Sequence, residues 1–290
     1  METENSTKAA ELIAHALEKN TPKAAGFIVT IYGDVIEPRG GIAWIGNLIE
    51  TCAKVGISET LVRTAVSRLV AAGQLSGERN GRRSYYRLSA SARAEFSAAA
   101  RILFGPAEEA DWHFLHLTGP QPEDDMPSLE RLGYARLGSR LAFGPRRPSS
   151  IPPSAVMFQA SLAKGNELIP AFVAEYWNLD PHATAYNAFI GRFMPLVNVL
   201  DDLERLTPSA CLTLRLLLVH QFRHVVLHDP RFPAQALPVD WPGHRARQLF
   251  AKIYRSLSTS ADGYVARKFV TGAGPLPEVT ETTRRRLETV

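Results

Sequence analysis

The sequence predicts an α+β protein in three main parts: an N-terminal winged helix-turn-helix, a small mixed region and a helical C-terminal region. Three observations predict it. Three helical patterns within residues 24–72 lead into a hairpin pattern crowded with arginine. Short strand patterns flank one helix in the middle of the chain. From Ala174 onward, long stretches carry apolar residues at helical spacing. A length of 290 residues suits two to three domains and can bury a core without disulfides or metals.

Residues 1–23 form a polar leader, flexible or helical from Thr7 to Lys19 and closed by Thr21-Pro22. Phe27, Ile28, Ile31, Tyr32 and Val35 recur at helical spacing, and Pro38 with Gly40-Gly41 stops that helix. Ala43 to Ala53 reads as a second, short helix. Ser58 is a good N-cap for a third, which runs to about Ala72 and ends at Gly73. Gln74–Leu88 reads as a hairpin turning at Asn80-Gly81, with Tyr85, Tyr86 and Leu88 on the returning strand. A linking helix from Ser91 to about Leu103 reaches a boundary at Phe104-Gly105-Pro106. Beyond it Trp112–Leu117 and Gly138–Phe143 read as strands, Met126–Leu132 as a helix, and Pro145 to Pro153 as a break. Ala183–Val199, Thr207–Leu227 and Arg245–Leu257 are long helices. The tail from Gly272 is Pro/Thr-rich, ends in Arg284-Arg285-Arg286 and reads as mobile. The expected divisions are a leader (1–23), the winged helix (24–104), the mixed domain (105–172), the helical domain (173–272) and a flexible basic tail (273–290).

Composition narrows the class. Hydrophobic residues at 45% and charged residues at 21% exclude a disordered or collagen-like chain. Uninterrupted apolar runs such as Leu216–Val219 are far below the ~18 residues that would span a bilayer. The acidic, polar start Met1-Glu-Thr-Glu-Asn is not expected of a secretory signal. Cys52 and Cys211 stand 159 positions apart, form neither a metal-spacing pair nor a disulfide framework, and suit a reducing, cytoplasmic setting.

Net charge is only +4, but its distribution is uneven. Residues 60–101 hold eight arginines against Glu78 and Glu95, whereas residues 107–130 hold seven acids and no Lys or Arg. Such asymmetry fits either one domain that meets a polyanion or two solvated surfaces of opposite sign. At about 100° per residue the third helix sorts cleanly. Leu61, Val62, Ala65, Val66, Leu69 and Val70 fall on one half, and Thr60, Arg63, Thr64, Ser67 and Arg68 on the other. Two arginines and three hydroxyls, with no Lys, Glu or Gln, suit guanine edges and phosphates better than bulk solvent. The hairpin adds Arg79, Arg82 and Arg83 around its tip, guanidinium groups that repel one another unless an anion lies close. Tyr85 and Tyr86 serve either as packing or as phosphate donors. The candidate DNA-binding set is therefore Ser58, Thr60, Arg63, Thr64, Ser67, Arg68, Arg79, Arg82, Arg83 and Tyr85.

Val62–Leu69, Gly73 and Gly81-Arg82-Arg83-Ser84-Tyr85-Tyr86-Arg87-Leu88 together resemble the winged-helix segment of the PaaX family of bacterial repressors. Leu216–Arg223, Leu227-His228-Asp229-Pro230 and Leu237–Gly243 resemble that family's C-terminal signature, with Tyr176-Trp177-Asn178-Leu179, Tyr186 and Phe189 in keeping. The resemblance covers about residues 25–270. It implies a dimeric transcriptional repressor of an aromatic-acid, phenylacetate-type catabolic operon. It also implies a central ferredoxin-like (Cas2-like) domain and an aryl-CoA thioester, phenylacetyl-CoA, as the effector that releases operator DNA.

Two clusters tempt toward chemistry. His220, His224 and His228 are spaced i, i+4, i+8 beside Asp229. They read as polar groups locking a helix to its neighbours, as contacts to an acyl-CoA together with Arg215 and Arg223, or as metal ligands short of a partner from another element. Arg215, His220 and Arg223 are accordingly the candidate effector-binding residues. Glu123-Asp124-Asp125, near Asp111, His113 and His116, reads as helix-dipole and solubilising charge rather than a metal-dependent nuclease site. No phosphate loop or nucleophile elbow appears, so neither an enzyme, a metal nor a cofactor is expected. The alternatives are a CoA-thioester or nucleic-acid enzyme with an accessory winged helix, and a non-specific architectural DNA binder.

Overall fold

The computed structural model describes residues 2–18, 21–106, 111–145, 151–200 and 206–290. The fold is α+β. Two compact units emerge, the first made of Met1–Pro106, Asn187–Leu227 and His244–Val290, the second of Ala107–Tyr186 and His228–Gly243. The helices of the domain expected at 173–272 divide between the two units, because α-helical periodicity marks a buried face without saying against what.

The first unit begins with α1 (Glu2–Leu17) and α2 (Ala24–Ile31). α2 runs on through one π-helical turn, Tyr32–Ile36, and a 3-10 turn, Glu37–Arg39. Gly40 and Gly41 then reverse the chain at φ 104° and 78°, values that strain any residue with a Cβ. A short strand β1 (Ile42–Trp44) precedes α3 (Ile45–Ala53), so the second helix starts two residues later than its pattern suggests. α4 (Glu59–Ala71) has Ser58 as its cap, whose hydroxyl accepts the Leu61 N–H, and Gly73 at φ 69° beyond its end. β2 (Leu75–Asn80) and β3 (Arg83–Leu88) pair from Leu75↔Leu88 to Asn80↔Arg83, and β1 joins the far side of β3 to give the antiparallel order β1-β3-β2. The hairpin turns at Gly81-Arg82, one residue later than expected. Only Gly81 of that pair has positive φ (59°), which fits a type II′ turn led by glycine rather than a type I′ Asn-Gly turn. α5 (Ala90–Phe104) is capped by Ser89.

The second unit carries an antiparallel sheet of β4 (Trp112–Leu117), β5 (Ala135–Arg136), β6 (Leu141–Gly144) and β7 (Ala155–Ala160) in the order β5-β6-β4-β7. β4 matches its sequence pattern residue for residue, whereas β5 and β7 were not legible. α6 (Pro122–Arg131) covers one face through a core of Leu115, Leu117, Met126, Leu129 and Ala142. Glu123, Asp124 and Asp125 lie inside its first turn rather than on the preceding loop. On a second core Trp112 stacks on Phe143 at 4.7 Å, joined by Phe232 and by Val173 of α7 (Ile169–Tyr176). The Trp177 indole donates to the Gly133 carbonyl at 2.9 Å. The Tyr186 hydroxyl donates to Asp229 at 2.5 Å, and the same carboxylate accepts the Arg231 N–H at 2.6 Å. Tyr186, Asp229 and Trp241 of the C-terminal signature thus hold this unit's chain ends together.

α8 (Asp180–Val197) leads back into the first unit, where α9 (Pro208–Val226) is its central helix: every residue from Ala210 to Phe222 is buried. Such a helix must satisfy its polar exceptions internally. Gln221 donates to the Ala16 carbonyl (2.8 Å) and accepts from Arg192 (2.5 Å), tying down α1. Arg215 donates to Asp34 at 3.0 Å and to Asp262 of α10 (Pro242–Lys268) at 2.6 Å. Asp262 also accepts from Arg39 at 2.7 Å, and Tyr254 donates to Asp34 at 2.9 Å. Burial by itself would depress the Arg215 guanidinium, but Asp34, Tyr254 and Asp262 outweigh it and hold it above its ordinary value.

The expected mobile tail is folded. β8 (Val270–Thr271) pairs with β9 (Gly274–Pro275), and α11 (Glu281–Thr289) follows, capped by Thr280 in a reciprocal bond with Thr283. Arg39 donates to the carbonyls of Pro277 and Glu278, and Arg286, 9% exposed, donates to Gly33 and lies 4.3 Å over the Phe104 ring. Pro and Thr content misled the sequence reading because the segment's anchors are single arginines, not an apolar stripe. Among the described residues no helix is long and apolar enough to cross a membrane.

Removing one carboxylate from the buried cluster leaves two guanidinium groups under-neutralised. Asp262→Ala is expected to lower unfolding free energy by about 3–5 kcal/mol in urea titrations, and a loss below about 1 kcal/mol would mean the cluster is effectively hydrated.

Candidate nucleic-acid interface

The apolar side of α4 seats it on α2 and α3 through Val62, Ala65, Val66 and Leu69, all buried. That leaves Thr60, Arg63, Thr64, Ser67 and Arg68 exposed along one continuous face. Leu61 and Val70, expected in the core, flank it at 56% and 39% exposure. They sit at the edges of the apolar arc, where the wheel alone does not decide. An exposed Leu beside hydroxyls and guanidiniums is suited to a thymine methyl group. Arg63 is held by Glu59 at 2.7 Å, an exposed i, i+4 pair worth a few tenths of a kcal/mol, so it is aimed rather than sequestered.

The hairpin presents Arg79, Arg82 and Arg83, all exposed. Arg79 donates to the Gly81 carbonyl across the turn, and Arg83 lies 4.8 Å over the Trp44 ring, which stiffens it. Among the described residues none of Arg68, Arg79, Arg82 and Arg83 has a carboxylate within ion-pair distance. Arg87, by contrast, is paired with Glu78 at 2.7 Å. Gly77 lies opposite Tyr86, whose ring would stand 2.8 Å from a Cβ at that position, so the strands approach closely only because glycine is there. Tyr85 leaves the candidate set: it is 4% exposed, turned into the core between Trp44 and Glu78 in register, and packs rather than contacts a ligand. Ser58 acts as a helix cap at the same end of α4. An exposed row of donors and a cation-tipped hairpin, both on rigid elements, can hold a polyanion in a fixed register.

The three effector candidates separate. Arg215 is buried in the ionic cluster and unavailable to any ligand. His220, 6% exposed, exchanges a 2.8 Å hydrogen bond with Thr30 and meets the Phe27 ring edge-on. Burial, with His224 and Arg223 adding, pushes its imidazole down to about 3. Arg223 is half-buried and lines a cavity of about 300 Å³ among α2, α5 and α9. The histidine series does not form a metal site: His228 lies past the end of α9, and no His/Cys/Asp/Glu group among the described residues is placed to hold a metal ion. Glu123 pairs with Arg136, Asp125 accepts from Ser154 and Asp111 accepts from Gln159, so those carboxylates do not converge.

Residues 23–92 match the family model described as PaaX-like protein, and residues 177–267 the model described as PaaX-like protein C-terminal domain. Over 284 residues the chain is 33% identical to Transcriptional repressor PaaX of Escherichia coli (strain K12), covering 91% of this chain and 90% of that one. The chain belongs to the PaaX-like family. Among solved structures it is similar to the uncharacterized protein Rv0674 from Mycobacterium tuberculosis, at 22% identity and a TM-score of 0.45 over 76% of this chain and 91% of that one. The first PaaX-like segment spans the whole of α2 to β3 and so contains every residue of the cationic face. The second contains the Tyr186–Asp229 bond and the Arg215–Asp262 pair, both of them internal contacts of this chain.

Arg68→Ala and Arg82→Ala are each expected to weaken duplex binding across sequences and to reduce the slope of log affinity against log salt by about one. An unchanged slope would remove that residue from the interface. For His220, the unfolded chain takes up a proton near pH 6.5 and the folded chain only near pH 3. Stability therefore falls as pH drops through that window, by up to about 1.4 kcal/mol per unit. His220→Asn should flatten this slope in urea titrations between pH 4 and 6, and an undiminished slope would assign the proton elsewhere.

Proposed function

We propose that this protein is a DNA-binding transcriptional repressor of an aromatic-acid, phenylacetate-type catabolic operon, acting in the cytoplasm as a homodimer and released from its operator by an aryl-CoA thioester. The observation that carries the DNA-binding reading is the exposed face of α4, whose Arg68 has no carboxylate partner among the described residues, beside a hairpin whose tip holds three more such arginines. Kinship with a transcriptional repressor over nearly the whole chain supports the repressor reading, while the operon type, the dimer and the thioester effector are what the resemblance to the PaaX family implies. In this reading α2 to β3 is a winged helix-turn-helix. α4 enters the major groove, where Arg63, Thr64, Ser67 and Arg68 meet base edges and phosphates, while Arg79, Arg82 and Arg83 clamp the flanking backbone. A two-fold dimer would set two such helices one DNA turn, or a multiple of it, apart on a partly palindromic site. The order β5-β6-β4-β7, with the first strand central and a helix between the first two, favours a ferredoxin-like reading of the second unit. The protein acts as a regulator, not as an enzyme.

The test is anisotropy of labelled DNA from the gene's own upstream region at about 150 mM salt, with phenylacetyl-CoA or phenylacetate added. The expected result is a preference of ~10³ or more over competitor DNA, abolished by the thioester and not by the free acid. A hundredfold release requires about 2.7 kcal/mol of differential binding, within reach of one ligand. Equal competition by unrelated DNA would replace the repressor by an architectural binder.

A further inference from the structure

Two hollows in the first unit share part of their walls. The smaller, about 300 Å³, is lined mostly by apolar side chains, among them Val29 of α2, Phe96, Ala99 and Leu103 of α5, and Val219 of α9. Asp34 and Glu95 also line it, and its charged donor is Arg223, which is in ion-pair distance of no carboxylate among the described residues and which burial holds below its usual value. The larger, about 540 Å³, opens between the 3-10 turn, α5 and α11 and is lined by Arg93, Arg101, Arg285 and Arg286 against one carboxylate, Glu37. Arg93 faces Glu37 at 3.5 Å, and Arg285 is only loosely paired with Glu281 at 3.8 Å. Arg101 is exposed and has no anion near it among the described residues. Gly33, Phe96, Ala100 and Phe104 line both, so the apolar chamber and the cationic cleft adjoin.

We infer that these hollows form one effector site, the chamber taking an aryl or acyl group and the cleft the phosphorylated tail of a CoA-type thioester. This rests on the repressor reading and its effector class, and adds where the ligand sits and how it acts. An apolar chamber at the lower end of the size range of small-molecule sites holds one compact ring or short chain but not a nucleotide. Surplus guanidinium groups next door suit phosphate oxygens, which accept bidentate donation. Arg223 can donate to the thioester carbonyl oxygen at the chamber's polar end. A free carboxylic acid would fill the chamber and leave the cleft unused, which gives the site its preference for the thioester.

The same walls reach the DNA-facing helix. Gln74, which lines the chamber, donates its N–H to Leu69 of α4 at 2.9 Å, and its carbonyl accepts the N–H of Ser89, the cap of α5, at 3.0 Å. α2, the opposite wall, is the surface on which α4 is seated. A ligand that parts α5 from α2 thus shifts both supports of α4, and its differential affinity for the shifted state becomes loss of operator binding.

The test uses the full chain. Binding of phenylacetyl-CoA, CoA and phenylacetate is measured by calorimetry for the wild type, for Ala100→Trp, which fills the shared wall, and for the exposed pair Arg101→Ala with Arg285→Ala. Operator affinity and melting temperature without ligand serve as controls for folding. Expected is a loss of at least about tenfold in thioester affinity in both variants, with the arginine pair also weakening CoA, and controls unchanged. Thioester binding undiminished by both variants would keep the repressor reading and overturn this site. Phenylacetate binding as tightly as the thioester would overturn the two-part ligand. A wild type that binds no CoA thioester would overturn this site and the thioester effector, and would leave the repressor reading to the operator assay.

Discussion

Arg215 sits at the centre of the first unit, 1% exposed, between Asp34 and Asp262, and most of what surrounds it follows from the need to neutralise that charge. A buried guanidinium costs several kcal/mol unless carboxylates and further donors satisfy it. Its two carboxylates come from the extension of α2 and from α10, and Asp262 is shared with Arg39. Arg39 in turn donates to the backbone just before α11, and Arg286 from α11 returns to Gly33 and Asp34. Segments some 250 positions apart are thereby fixed to one another by directional bonds, where apolar packing would tolerate sliding.

That rigidity explains how α4 can present so polar a face. Its contribution to the core is four modest side chains, Val62, Ala65, Val66 and Leu69, and its other residues are free to be arginine, serine and threonine because the surface beneath it is already held. The hairpin works likewise: Tyr85 and Leu88 are buried beneath it and Trp44 pairs with Tyr85, while Asn47 of α3 ties that helix to the end of α10 and to β8 by donating to the Lys268 carbonyl and accepting the Val270 N–H. Charge is then concentrated at the tip, where no carboxylate among the described residues pairs with Arg79, Arg82 or Arg83.

The polar residues of α9 divide labour in the same spirit. Gln221 holds α1, Arg215 holds the ionic cluster and His220 stays neutral behind Thr30, while Arg223, one turn further on, reaches a cavity wall. The three effector candidates thus lie along one helix, and only Arg223 of them reaches a cavity wall.

Local chemistry was legible in the sequence alone. The Ser58 cap, the Gly73 stop, the exposed donors of α4 and the β4 strand depend on dihedral preferences and on periodicity, which act over a few residues. The cation-tipped hairpin was legible too, with its turn displaced by one residue. What required the folded chain were pairings between remote segments. No periodicity marks Asp34 and Asp262 as partners of one arginine, shows that the arginine-ended tail closes on Gly33, or reveals that Tyr85 is turned inward while Leu61 is not. Strands of two to six residues such as β5 and β7 exist only because a neighbouring strand accepts their hydrogen bonds, and the chamber beside Arg223 is a gap between three helices that no one of them encodes. Propensity is a property of neighbours in sequence, whereas burial, neutralisation and cavities are set by neighbours in space.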